Sequence, residues 1–256
     1  MNSRRIKRIF NEIKELKDSV ELFENSGLHY YFNEENINNI YIMIIGAKDT
    51  PYENGYYFFK LEYPEQYPMI PPKMTFCTQG ILLSQMRNKY KNDSYNCFDV
   101  RFNPNLYTNG KVCLSMLNTW AGPGWVPTNT ITNILVAIQA LVLNEEPIKN
   151  EPGYENSCDD DINKYNLIIH YANSKIAILD QLKSKNLGDF ECFREKIKSI
   201  FLKNVDNIIE KNIEIFNKID KDIIQSPIYG MNFKIEYTNL LNYYKIIRCK
   251  LLLNKL

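Results

Sequence analysis

One cysteine, Cys113, lies eight residues beyond Asn105 in the stretch Arg101-Phe-Asn-Pro-Asn-Leu-Tyr-Thr-Asn-Gly-Lys-Val-Cys-Leu-Ser-Met-Leu117. A thiol can carry an acyl group as a thioester without metal or cofactor. It needs access, and a donor for the oxyanion formed when a nucleophile attacks. A side-chain amide such as that of Asn105 can be the donor, and losing one such donor costs about 3–4 kcal/mol of barrier. Between the two residues, Asn109-Gly110 is a strong tight-turn dipeptide, so the chain can fold back and bring amide and sulfur together. A plainer reading stands beside this one. A lone loop cysteine is usually an inert small hydrophobe, and Asn in an Asn-Pro-Asn turn usually serves backbone geometry.

The elements that must position this stretch are legible as periodicities. From Ser3 to about Glu24, Ile6, Ile9, Phe10, Ile13, Leu16, Val20 and Phe23 recur at helical spacing behind a basic start of Arg4, Arg5, Lys7 and Arg8, whose ordinary place is a solvated face. Short β-rich runs follow at Leu28–Phe32, Ile40–Ile45, Tyr56–Tyr63 and Met74–Cys77, and Asn54-Gly55 is a hairpin signal, so an antiparallel meander is expected. Prolines 64, 68, 71 and 72 exclude helix before the fourth strand. Within Gln79 to Val100 the stretch Asn88-Lys-Tyr-Lys-Asn-Asp-Ser-Tyr-Asn96 is polar, and the segment reads as an exposed insertion. Beyond Cys113, both tryptophans frame Gly-Pro-Gly, either shaping an acceptor channel or, more commonly, anchoring the loop. Thr130–Leu143 reads as a helix with Ile131, Ile134, Leu135, Ile138, Leu141 and Val142 at core spacing. Helices are then expected at Ile162–Lys183, Phe190–Ile224 and Lys234–Leu253, broken at Asn186-Leu-Gly188 and Ser226-Pro-Ile-Tyr-Gly230.

Composition narrows the class. A formal charge of +1 makes no bulk electrostatic case for nucleic acid or membrane, and 45% hydrophobic with 24% charged residues is ordinary for a soluble globular chain of 256 residues. The six cysteines are scattered, with no CxxC pair and no secretory signal ahead of them, which disfavours a disulfide framework or zinc module and fits a reducing, intracellular and cytoplasmic setting. No apolar run approaches ~18 residues.

Two motifs in the right order carry a resemblance. The Asn103-Pro-Asn turn and Cys113-Leu are similar to the active-site segment of the ubiquitin-conjugating enzymes, which has His-Pro-Asn, a short turn, then the acceptor cysteine followed by Leu; here Asn103 stands where the family has histidine. Tyr63-Pro-Glu-Gln-Tyr-Pro-Met-Ile-Pro-Pro72 resembles the family's Tyr-Pro-x-x-Pro-Pro segment before the fourth strand. With Leu117-Asn-Thr-Trp120 and the run Asn144 to Glu155, the likeness points to the subgroup at the C-terminal end of very large ubiquitin-conjugating proteins, such as the giant inhibitor-of-apoptosis-repeat enzyme.

The resemblance implies an α+β ubiquitin-conjugating fold: N-terminal helix, four-stranded antiparallel meander and crossing helix, with a catalytic core over 1–156 and an α-helical C-terminal extension over 157–256. It implies that Cys113 accepts ubiquitin from an activating enzyme and passes it to a substrate lysine, with Asn105 as oxyanion donor or loop support and Glu151 positioning the lysine. Lys7 and Arg8 would meet the activating enzyme and ligases, and Met69 and Pro127 a ubiquitin ligase. No cofactor or metal is implied, since ATP is consumed by the activating enzyme. Three other readings remain open: a noncatalytic ubiquitin-conjugating-like binding module, a conjugating enzyme for another ubiquitin-like modifier, and a cysteine hydrolase. The presence of Cys113 argues against the first. The last needs a histidine base, and the only histidines, His29 and His170, fall in an early strand and in the extension.

Overall fold

The structure, a computed structural model, describes residues 3–80, 100–217, 219 and 223–253. Most of the Gln79–Val100 insertion, with Cys97, therefore lies outside the described residues. Its two ends are tied together, since the Gln79 side chain donates to the Val100 carbonyl at 2.8 Å.

The apolar face of α1 (Ser3–Asp18) buries Ile9, Ile13 and Leu16, and a one-residue break at Ser19 separates α1 from α2 (Val20–Asn25). The expected single helix to Glu24 is thus two, and Phe10 and Val20 are exposed. Nor is the basic start wholly a solvated face. Arg5 is buried, its guanidinium donating to the carbonyls of Pro64 and Tyr63 and to the Asn38 amide oxygen. Those bonds supply the partners a buried cation needs. They also pin α1 to the proline-rich connection.

Strands β1 (Leu28–Asn33), β2 (Asn36–Ile45), β3 (Tyr56–Glu62) and β4 (Lys73–Phe76) form the expected antiparallel meander in sequential order. The β2–β3 connection is longer than a two-residue hairpin. It closes where Gly46 donates to the Gly55 carbonyl, with Asn54 at φ 61°. Pairing sets Ile40, Ile42 and Ile44 against Leu61, Phe59 and Tyr57 on one face, and Met43 against Phe58 on the other. Both faces are buried, because period-two alternation here carries apolar residues on each side.

The crossing helix α3 (Ile131–Ala137) begins with a capping box between Thr130 and Asn133, then widens into a π-helical turn over Ile138–Val142. Ile131, Ile134, Leu135, Ile138 and Val142 are core, while Leu141, expected there, is 61% exposed. The wider turn breaks the 3.6-residue spacing on which that expectation rested.

In the extension, α4 (Asp159–Ala172) opens with three aspartates at its positive N-terminal end and continues through a π-helical stretch, Asn173–Asp180, to a last turn ending at Lys183. A 3₁₀ segment, Gly188–Phe193, leads into α5 (Arg194–Phe216), and α6 (Tyr237–Leu252) packs on α5 through Phe201 and Tyr244, whose rings stack at 6.0 Å. The helix expected to run to Ile224 stops at Phe216. Residues 223–234 instead hold a hairpin of β5 (Ile223–Gln225) and β6 (Asn232–Lys234), in which only the central residue of each strand is buried. The extension covers the outer face of the sheet: Phe190 and Phe193 meet Phe58, Phe190 meets Tyr41, and Tyr56 Oη donates to the Ile197 carbonyl. One hydrophobic cluster consequently runs from Ile9 to Leu251. Among the described residues no helix is long and apolar enough to cross a membrane.

Candidate active site

The fold-back expected around Asn109-Gly110 is present. Gly110 takes φ 90° and donates to the Tyr107 carbonyl, and Tyr107 donates in turn to the Lys111 carbonyl. A positive φ is where glycine is needed. The turn brings Cys113 N within 2.8 Å of the Asn105 carbonyl, and the Asn105 side-chain nitrogen donates to the Cys113 carbonyl at 2.7 Å. Asn105 and Cys113 are therefore together, but one amide hydrogen is spent on the backbone of Cys113. In this state it is a strut.

The support for Asn105 begins at the C-terminal end of the crossing helix. A helix leaves its last carbonyls without intrahelical partners. Those of Leu141 and Val142 are met by asparagine side chains: Asn150 Nδ2 reaches the Leu141 carbonyl at 2.8 Å, Asn144 Nδ2 the same carbonyl at 3.0 Å, and Asn103 Nδ2 the Val142 carbonyl at 2.7 Å. Asn150 Nδ2 also donates to Asn105 Oδ1 at 3.0 Å, and Asn103 Oδ1 accepts from Asn105 N at 2.8 Å. Asn103, fully buried, thus supports the turn at the histidine position. Tyr52, whose phenol donates to the Phe102 carbonyl at 2.7 Å, lies 3.3 Å from Asn103 Nδ2. Burial pushes that phenol's pKa up, so it stays a donor. Neither Asn150 nor Tyr52 stands out in the sequence, because nothing in their spacing reports a side-chain contact across the chain.

The loop after Cys113 is fixed by Thr119 and Asn118. Thr119 Oγ1 donates to the Val112 carbonyl and accepts from Leu114 N at 2.9 Å, while Asn118 Oδ1 accepts from Trp125 N at 2.8 Å. Trp125 is buried, and its Nε1 donates to the Pro68 carbonyl at 2.7 Å, so this tryptophan anchors the loop. The same bond ties the loop bearing Pro127 to the proline-rich loop bearing Met69. Met69 is 71% exposed and Pro127 is exposed, with Lys7 exposed on α1. Arg8 is half-buried instead, its guanidinium shared between Glu12 and the Asn129 carbonyl at 2.6 Å.

Access at Cys113 is limited, since the residue is 1% exposed. Among the other cysteines, burial pushes the Cys77 and Cys192 thiols up to about 11, which leaves few thiolates at neutral pH. Glu151 follows the short helical turn Pro147–Asn150, and its carboxylate accepts a hydrogen bond from Tyr229 Oη. His29 lies on β1 and His170 on α4. Among the described residues no group of three or more His, Cys, Asp or Glu could hold a metal ion.

A family model described as ubiquitin-conjugating enzyme matches residues 8–169. The chain belongs to the ubiquitin-conjugating enzyme family. Over 208 residues it is 36% identical to a probable ubiquitin-conjugating enzyme protein 17 of Caenorhabditis elegans, a match covering 78% of this chain and 26% of that protein. Over 212 residues it is 36% identical to the human dual E2 ubiquitin-conjugating enzyme/E3 ubiquitin-protein ligase BIRC6, covering 79% of this chain and 4% of that one. Human ubiquitin-conjugating enzyme E2 Z is 40% identical over 147 residues, which cover 57% of this chain and 37% of the relative. The chain thus spans well under half the length of these relatives. The solved Pex4p of H. polymorpha, crystallised with the soluble domain of Pex22p, superposes with a TM-score of 0.50 at 24% identity over 67% of this chain and 97% of its own, which places the fold.

Proposed function

We propose that this member of the ubiquitin-conjugating enzyme family accepts ubiquitin from an activating enzyme as a thioester on Cys113 and transfers it to a lysine of a protein substrate. The reading is carried by one observation: the Asn105 amide is held 2.7 Å from the Cys113 carbonyl by a chain of asparagines that ends on the crossing helix. In the reaction the lysine amine bonds the thioester carbonyl carbon, the C–S bond breaks and Sγ leaves with the bonding pair. Asn105 has a second amide hydrogen with no partner among the described residues, and that hydrogen would meet the oxyanion once the Cys113 loop moves to expose the thiol. Glu151 would orient the incoming ammonium. Lys7 and Arg8 would form part of the docking surface for the activating enzyme and a ligase, and Met69 with Pro127 a surface for the ligase. The chain would need no cofactor, ATP being consumed by the activating enzyme.

The test mixes the protein with activating enzyme, ATP and ubiquitin, and runs a nonreducing gel beside Cys113→Ala. A ubiquitin-sized adduct that a thiol reductant removes, absent from Cys113→Ala, supports the reading. An adduct formed only with another ubiquitin-like protein keeps the chemistry and changes the cargo. A folded protein that forms none with any modifier refutes the enzyme in favour of a binding module.

A further inference from the structure

We propose that Tyr229, at the tip of the hairpin in the C-terminal extension, is a positioning residue for the acceptor amine, holding the Glu151 carboxylate beside the active-site turn. The inference deepens the function proposed above and rests on its assignment of Glu151.

The hairpin tip reaches the site at three points. Tyr229 Oη donates to Glu151 Oε2. The Tyr229 ring lies 4.6 Å from the Arg101 guanidinium, whose other ring partner, Tyr107, is at 3.5 Å, and Arg101 donates to the Pro104 carbonyl at 2.7 Å in the middle of the Asn-Pro-Asn turn. The sulfur of Met231 accepts from Arg101 N at 3.3 Å. Arg101 is thus stacked between a ring of the active-site stretch and a ring of the extension, an arrangement a planar cation favours.

The backbone gives an independent argument. The turn has φ 63° at Tyr229 and φ 61° at Gly230, closed by Ser226 N donating to the Met231 carbonyl at 2.8 Å. Two successive left-handed residues make the turn that favours Asn-Gly or Gly-Gly, and an aromatic residue in the first position is strained. Strain of this kind persists where surrounding contacts over-determine it, and it clusters at functional sites. The contacts here are those of the side chain with Glu151 and Arg101. Burial and the carboxylate both push the Tyr229 phenol upward, so its O–H remains a donor throughout the working pH range.

The carboxylate has two oxygens. Tyr229 occupies Oε2, and Oε1 has no hydrogen-bond partner among the described residues. An acceptor ammonium meeting Oε1 would be oriented by a carboxylate that cannot swing away. The oriented ammonium first gives one proton to water. The free amine then bonds the thioester carbon, the C–S bond breaks with its pair on sulfur, and the second proton lost from nitrogen ends on the Cys113 sulfur, leaving an isopeptide bond and a free thiol.

The experiment uses the full chain loaded with ubiquitin by activating enzyme and ATP. Charging is quenched, and single-turnover discharge is followed with free lysine, a cation, or with hydroxylamine, which is neutral at pH 7.5. Tyr229→Phe keeps the ring over Arg101 and removes only the hydroxyl. The result expected is a five- to tenfold fall in the ratio of lysine to hydroxylamine discharge, arising in the apparent KM for lysine. Glu151→Gln should lower the same ratio, and Tyr229→Phe should add nothing to it in the double variant. A wild-type ratio in Tyr229→Phe, or an equal loss towards both nucleophiles, overturns the positioning role while leaving the thioester mechanism intact. A normal ratio in Glu151→Gln overturns it through the carboxylate. A wild-type chain that never charges removes the parent reading and this one together, and is told apart from the other failures by the missing thioester band.

Discussion

Asn105 can serve Cys113 as an oxyanion donor, as a strut, or as both, and the geometry separates these by way of Asn150. In Asn105→Ala the Cys113 carbonyl loses its donor, while Asn150 Nδ2 keeps the Leu141 carbonyl at 2.8 Å. One buried acceptor is orphaned, which costs about 1–3 kcal/mol. Asn150→Ala leaves Leu141 with the Asn144 donor at 3.0 Å and orphans Asn105 Oδ1, which sits on a residue only 7% exposed. That cost is about 1–2 kcal/mol. Because both deletions act through the same bond, the double variant should be more stable than additivity predicts by about 0.5–1 kcal/mol.

The rates discriminate further. An oxyanion donor removed outright costs about 10²–10³-fold in transfer. Asn150→Ala leaves the donor in place but unheld, so its discharge of the ubiquitin thioester to lysine should fall by about tenfold, roughly 1.4 kcal/mol of barrier. Urea unfolding gives the stabilities and single-turnover discharge the rates. Additive stabilities, together with Asn150→Ala discharging within twofold of wild type, would refute the claim that the asparagine chain positions Asn105. Full stability with slow discharge in Asn105→Ala would assign it to the oxyanion alone.

Two further groups, Asn103 at the turn and His170 in the extension, give two more predictions. Asn103→Ala orphans the Val142 carbonyl and Asn105 N–H at once and should cost about 2–4 kcal/mol in urea unfolding, whereas Asn103→His, able to donate once and accept once, should cost less; equal losses would show that hydrogen bonding is not what the position requires. Burial, with Lys211 nearby, pulls the His170 imidazole down to about 4, so an unfolded chain near 6.5 takes up a proton that the folded one refuses, and stability, complete above about pH 6.5, drains away as pH falls towards 4. The loss approaches about 3 kcal/mol in full, and His170→Gln should flatten the wild-type decline in urea midpoint between pH 7 and 5; parallel curves would refute it.

The fold was legible where periodicity is one-dimensional. Alternating isoleucines in β2 and the aromatic run of β3 gave the meander, and the apolar stripe of α3 gave the crossing helix. Leu141 was misplaced because a π-helical turn has no signature in apolar spacing, and Val20 because the break at Ser19 takes α2 out of the register of α1. Extending α5 to Ile224 failed for a similar reason. Ile223 and Ile224 continue a helical stripe on paper, but only Ile224 is buried, and the Tyr229-Gly230 turn makes the segment a strand. At the candidate site, the fold-back that brings Asn105 to Cys113 through the Gly110 turn could be read because it is local, the two residues being separated by a handful of residues with turn chemistry between them. Asn150, Tyr52 and Tyr229 could not. Each acts over a sequence distance of 45 residues or more, as with Asn150 and Asn105, or Tyr229 and Glu151 at 78.

That division reflects how the site is built. A helix that ends at Val142 needs donors for its last carbonyls, and the chain supplies them from Asn103, Asn144 and Asn150. Two of those asparagines also touch Asn105, so the termination of the crossing helix and the placement of the Asn105 amide are one hydrogen-bonded structure. The extension joins the same structure from the other side: Tyr165 Oη donates to the Arg101 carbonyl at 2.6 Å, and Arg101 holds the Pro104 carbonyl. Since Phe190, Phe193 and Ile197 already close the outer face of the sheet, removing the extension would expose apolar strand surface and release Arg101 at once. The extension is therefore part of what keeps the Asn-Pro-Asn turn in place, and variation in it should reach the chemistry proposed at Cys113 through its contacts with Arg101 and Glu151.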